Sequence, residues 1–175
     1  MSPHLEKVRA HAHRLTRDFS SEDWEYSHQG KWSASKTMEH LRLAFTATTK
    51  ATLKTMQASE PFCRDATWRD LAGRVCVLRL GRMPGGMKAL KNLTPKVGLP
   101  GNTLRPFNDA LVAMDATLND AERRFGRNTR ILDHPFLGPL TAEQWRRFHW
   151  VHANHHFRQI ATQRPAAQHA MASAL

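Results

Sequence analysis

The sequence predicts an all-α fold, a four-helix bundle with a long crossover between its second and third helices. Three observations carry that expectation. Apolar residues return at steps of three and four in four separate stretches. Capping residues and Pro- and Gly-rich punctuation bound those stretches. The chain has 175 residues, a length that suits one domain with its own core, here read as residues 1–164 with a tail over 165–175.

In the first stretch, Leu5, Val8, Ala12, Leu15 and Phe19 share one stripe and predict a helix over 3–19. The polar run "SSEDWEYSHQGKW" follows, with Gly30 as punctuation. Ser33 or Ser35 caps a second helix reaching about Gln57, with Met38, Leu41, Phe45, Thr48, Thr52 and Met56 on one face. The third helix begins near Pro106 and carries Phe107, Leu111, Met114, Leu118, Ala121 and Phe125. In "HPFLGPLTAEQW", Pro135, Gly138 and Pro139 predict irregular chain, and Thr141 with Gln144 reads as a capping box. The fourth helix then runs over 142–163 and stops before Pro165. Residues 58–103 are broken by "PGG" and "TPKVGLPGN", with a short helix or a strand possible over 67–80. A connection of that length carries local structure or function in a compact domain.

The formal charge is +11, and residues 62–100 concentrate it. Arg64, Arg69, Arg74, Arg79, Arg82, Lys88, Lys91 and Lys96 face only Asp65 and Asp70 there. A solvated face, an anion-receiving rim and a nucleic-acid surface all fit such an excess. The segment has no dense basic run with interleaved aromatics, which argues against nucleic acid. No apolar run approaches the ~20 residues that span a bilayer, so no membrane is expected. The charged N-terminus resembles neither a secretory signal nor a lipid anchor. Cys63 and Cys76 are too few for a disulfide scaffold, and the expected location is cytoplasmic. "GRMPGGMK" lacks P-loop spacing.

The chemistry gathers in "FHWVHANHHFRQI". The core stripe of the fourth helix, Trp145, Phe148, His152, His156 and Gln159, passes through two imidazoles. Side chains four apart project from one helix face. A buried imidazole without partners costs on the order of 1–3 kcal/mol, and a divalent metal takes a lone pair from each ring. His149 and His155 lie close enough to compete for the same role, and spacing alone leaves that choice open. His40, at the edge of the second helix's stripe, supplies a third donor. Glu39 beside it is expected on the surface.

Two motifs carry a family resemblance. "GKWSASKTMEHLRLAF" resembles the DinB-like pattern in which a Trp-Ser pair opens the second helix and a histidine follows eight residues after the Trp. Trp32 and His40 keep that spacing. "HPFLGPLTAEQWRRFHWVHANHHFRQI" is similar to the end of a DinB-like subfamily of unknown function, and the resemblance spans roughly 30–162. It departs in two places, with Leu137 where an aromatic is usual and Arg158 where many relatives have glycine. The resemblance implies a four-helix bundle holding a divalent metal, often zinc or nickel, through His40, His152 and His156. Gln159 takes the motif's trailing position, behind the ligands.

Three imidazoles leave a coordination position open, the arrangement of a catalytic rather than a structural ion. Two reaction classes follow. One transfers a low-molecular-weight thiol to an electrophile, as thiol-dependent transferases similar to this superfamily do, and the other is hydrolysis by activated water. Thiol transfer is preferred, because the basic segment could receive an anionic thiol or another anionic small-molecule substrate. His149 and His155 are the candidates for a general base or for support behind the ligands. A non-enzymatic stress-response or nucleic-acid-binding bundle is the alternative, and a homodimer is compatible with exposed apolar helix faces.

Overall fold

The computed structural model describes residues 1–28, 30–84, 86 and 89–163, with Asn102 described by its backbone alone. The tail 165–175 and Lys88 lie outside the described residues. Within them the chain is mostly helical: α1 (Pro3–Thr16), α2 (Ser21–Glu25), α3 (Ala34–Thr55), α4 (Trp68–Arg74), α5 (Arg105–Phe125) and α6 (Ala142–Gln163). One antiparallel ribbon joins β1 (Arg130–His134) to β2 (Gly138–Thr141). None of these helices is long and apolar enough to cross a membrane.

Local chemistry explains the long helices. Ser2 caps α1 by accepting from the Leu5 amide, and Pro3 opens it where no N–H is needed. The helix ends at Thr16, so Phe19 packs beyond it, edge to face on Trp24 at 5.7 Å. Ser33 caps α3 through the Lys36 amide at 3.3 Å. At the start of α6, Thr141 and Gln144 exchange the two bonds of a capping box, at 3.0 and 3.3 Å. Gly126, at φ +94°, ends α5. The apolar stripes of α1, α3, α5 and α6 meet in one core that includes Leu5, Met38, Phe45, Phe107, Leu118 and Phe157. Along it α3 lies against α5, and α1 against α6.

Two expectations are corrected. The stretch around Pro135, Gly138 and Pro139 is a ribbon, not irregular chain. Pro135 sits in the turn, and Pro139 pairs with Asp133 in a sheet of only two strands, where a missing N–H can face outward. Glu39 is buried rather than on the surface. The Arg42 guanidinium, one turn on, donates to both of its carboxylate oxygens at 2.6 and 2.7 Å, which makes its burial tolerable.

The crossover between α3 and α5 is structured. It contains α4, a π-helical turn over Val75–Arg79 and two short 3-10 turns, Lys91–Leu93 and Pro100–Asn102. Its cations have local work. Arg64 grips Asp70 with two bonds, at 2.7 and 2.9 Å, while Asp70 closes the capping box of α4 with Thr67. Arg74 donates to the carbonyls of Leu137 and Pro139 at 2.8 and 2.7 Å, tying α4 to the ribbon. Gly73 and Gly138 permit this contact. A Cβ on Gly73 would meet the Phe136 carbonyl oxygen at 2.8 Å, and one on Gly138 would meet the Asp70 carboxyl at 2.8 Å.

The Arg64 guanidinium, followed by the Thr67 amide, holds the Asp70 carboxyl well below the usual carboxylate range. A carboxyl depressed in the folded state contributes stability above its unfolded value of about 3.9 and loses it as the pH falls toward the folded value. We therefore expect Asp70→Asn to be less stable than wild type at neutral pH. The two denaturant-unfolding curves should converge as the pH is lowered through the carboxylate range. A gap of constant size at every pH would show that the ion pair contributes nothing.

Candidate metal centre

Two helices and one loop carbonyl build the centre. His40 comes from the second turn of α3, and His152 and His156 come from the middle of α6. His152 Nε2 stands 3.2 Å from His40 Nε2 and 3.1 Å from His156 Nε2. The candidate donor atoms of all three lie within 4.8 Å of one another. The expected trio is thus brought together, with His40 and His152 buried and His156 half-buried.

Each outer ring is oriented by what its far nitrogen touches. The Leu93 carbonyl, in a 3-10 turn of the crossover, is 2.8 Å from His40 Nδ1. A carbonyl can only accept, so Nδ1 carries the proton and Nε2 presents its lone pair. His156 Nδ1 donates in the same way to Gln159 Oε1 at 2.7 Å, and the Gln159 amide donates onward to His155 Nε2 at 3.0 Å. Trp32 packs on His40 with ring centroids 5.2 Å apart, and Phe148 stacks on His152 at 5.4 Å and 14°.

Two lone pairs, from His40 and His156, therefore point at a third nitrogen that can bring only one proton. If His152 Nε2 bears that proton it satisfies one neighbour and opposes the other. Its Nδ1, buried without a partner among the described residues, would then be an unsatisfied acceptor. Adding a second proton fails too. Burial, then the neighbouring His156 and His40, push His152 well below the ordinary histidine value. Burial and His40 push His156 down to about 3, and burial lowers His40. A cation resolves the conflict. Bonds of about 2.0–2.1 Å to a tetrahedral ion place donor atoms roughly 3.3–3.4 Å apart, close to the two separations seen, so these residues fit a metal.

The two candidate bases fall in different places. His149 is fully buried, one turn from His152; its Nε2 hydrogen-bonds to Thr48 Oγ1 at 3.0 Å, and its Nδ1 has no partner among the described residues. Burial and then His134 hold it down to about 3. His155 is half-buried and joined to the centre through Gln159 and an edge contact with the His156 ring at 5.3 Å. Both line the same cavity as the three ligands, a space of about 1090 Å³.

That cavity also contains what sequence reasoning missed. His134, at the end of β1, is in its wall, ring to ring with Phe148 at 4.3 Å and Trp145 at 5.4 Å. The motif His-Pro-Phe held the signal, since the histidine's own backbone two residues on returns to its ring. The basic segment contributes apolar wall such as Val77, Met83 and Leu90, but not its described cations. None of the described cations of 62–100 lines the cavity, so among the described residues that segment places no anion-receiving rim around the centre.

A family model described as "Protein of unknown function (DUF1569)" matches residues 3–163. No curated protein matches the chain, and no solved structure does.

Proposed function

The chain belongs to the DUF1569 family, and from that premise we propose that it is a metal-dependent transferase joining a low-molecular-weight thiol to a small electrophile. α1, α3, α5 and α6 are read as the four helices of a DinB-like bundle, a reading supported by the ligands' places on α3 and α6 and by the long crossover between α3 and α5. The gathering of three imidazoles, with candidate donor atoms within 4.8 Å of one another in the wall of a cavity, carries the functional reading. His40, His152 and His156 would hold the ion, with zinc or nickel suited to three imidazoles. When bound, such an ion acts as a Lewis acid that keeps a thiol ionised at neutral pH.

The chain's own residues prepare that chemistry. The Leu93 carbonyl and Gln159 fix the tautomers that free the two outer lone pairs. Trp32 and Phe148 pack against the ligand rings and limit water there. In the reaction, the thiol sulfur forms a bond to the electrophilic carbon as the carbon–leaving-group bond breaks. The leaving group departs with the bonding pair, and the thiol proton passes to solvent.

The test combines the purified protein, 2-mercaptoethanol and 1-chloro-2,4-dinitrobenzene. The expected result is conjugate formation above the uncatalysed rate, lost on chelation and restored by zinc or nickel. Turnover of a 4-nitrophenyl ester without thiol would make the protein a hydrolase instead. Less than one equivalent of divalent ion per chain after mild purification would count against both.

A further inference from the structure

We propose that the cavity takes an uncharged, largely apolar guest with one hydrogen-bond-accepting group, and that His134 Nε2–H is the donor that engages that group. This deepens the substrate side of the reading above and rests on it for the cavity being the substrate site.

The tautomer of His134 follows from one bond. The Phe136 backbone N–H donates to His134 Nδ1 at 3.1 Å. A backbone amide can only donate, so Nδ1 presents its lone pair and the proton of the neutral ring sits on Nε2. Burial holds this ring down to about 4, which keeps it neutral at pH 7. Among the described residues Nε2–H has no hydrogen-bond partner, although the ring forms part of the cavity wall. Phe148 and Trp145 brace the ring on the protein side. An oriented donor with nothing to donate to is a recognition element for an acceptor arriving from the cavity.

The rest of the wall sets the class of guest. Trp32, Met83, Leu90, Phe136, Leu137 and Phe148 supply broad apolar surface. Among the described wall residues, one cation, Lys31, and one carboxylate, Asp133, leave no excess of formal charge. Asp133 is moreover engaged by the Arg64 amide at 3.2 Å. The cations that might have received an anion grip Asp70 and the ribbon carbonyls instead. An anionic guest would meet Lys31 as the one described side-chain cation of the wall, too little to offset the desolvation of its charge among the apolar residues.

Three naphthalenes of similar size separate these features. They are 2-acetylnaphthalene, with one carbonyl acceptor; 2-isopropenylnaphthalene, of the same shape without it; and 2-naphthalenesulfonate, an anion that ligates metals poorly. Binding is followed by quenching of tryptophan fluorescence, since Trp32 and Trp145 line the cavity, using the full-length protein as purified with its metal content measured alongside. The ketone is expected to bind about three- to tenfold tighter than the hydrocarbon, the size of one neutral hydrogen bond, and the sulfonate more weakly than either. In His134→Phe, which keeps the ring and removes the donor, the ketone's advantage disappears while the hydrocarbon still binds. A sulfonate that binds as tightly as the ketone, or no ketone preference in wild type, overturns the proposal even if the variant does not fold. A preference that survives in His134→Phe overturns the role of His134. Metal content is read separately, so loss of the metal reading and loss of this one are distinguishable.

Discussion

Replacing His152 with alanine is expected to strip the purified protein of metal. His152 is the middle ring: its Nε2 is within 3.2 Å of both other ligand nitrogens, whereas His40 and His156 each meet it from one side. Removing it leaves two donors on separate helices, too few for the three-ligand sites that hold catalytic ions. Supporting residues behind a ligand typically contribute 10–100-fold in metal affinity, so a direct ligand should cost more than about 100-fold. His40→Ala and His156→Ala should behave alike. Gln159→Leu, which frees the His156 ring without removing it, belongs in the range of about 10–100-fold. His155→Ala should keep most of the metal, because His155 is not among the gathered donors and meets the centre only through Gln159 and the edge of the His156 ring. Elemental analysis after gel filtration, beside circular dichroism to show that each variant is folded, reads all of these. Stoichiometric metal in folded His152→Ala would dismiss the assignment.

The largest stability loss is expected at Arg146. This α6 side chain is 3% exposed, and so is Asp115 of α5, which accepts from Arg146 Nε at 3.0 Å. Arg146 also donates to Glu122, Glu143 and Asn119, at 2.8, 3.3 and 2.6 Å. The second Asp115 oxygen accepts from the Ser2 amide at 2.8 Å, so one buried carboxylate joins α5, α6 and the start of α1. Arg146→Leu leaves that carboxylate buried and without its cation, a loss of about 3–5 kcal/mol. For a chain of this size that is roughly 6–20 °C in melting temperature. Adding Asp115→Asn removes the stranded charge but keeps an acceptor for Ser2, and should recover part of the loss. A single variant within about 0.5 kcal/mol of wild type, measured by urea unfolding, would mean the network is held no better than a surface pair.

The elements legible in the sequence were those with a repeating local signal. Four helices follow from stripes such as Phe107, Leu111, Met114, Leu118 and from caps at Ser33 and Thr141. The ribbon was not legible, because Pro139 argues against a strand unless only one neighbour is present. Glu39 was misplaced for a related reason: its burial depends on Arg42 turning back over it, a side-chain contact that hydropathy does not encode.

At the centre, spacing put His152 and His156 on one face, His40 was offered from the edge of the second helix's stripe, and the resemblance joined the three. Spacing left His149 and His155 in competition. A helix's periodicity states which residues share a face but not how that face is rotated against its neighbours. Packing of α6 against α3 turned His149 toward Thr48 and left His155 half-buried beside Gln159. The charge excess left its alternatives open in the same way. Composition counts cations without their partners, and Arg64 and Arg74 are directed at Asp70 and the ribbon rather than at the cavity.

Contacts within a few residues are enough to set the long amphipathic helices and a histidine pair one turn apart, so both could be read from the order of residues. Only long-range packing settles which nitrogens face one another, which acceptor sets each outer ring's tautomer, and that broad apolar surface surrounds the histidines of the cavity wall. Those outcomes rest on atoms far apart in the chain, such as Leu93 beside His40 and Phe148 beside His134. Orientation across such distances is set by how whole faces pack, not by the residues next door.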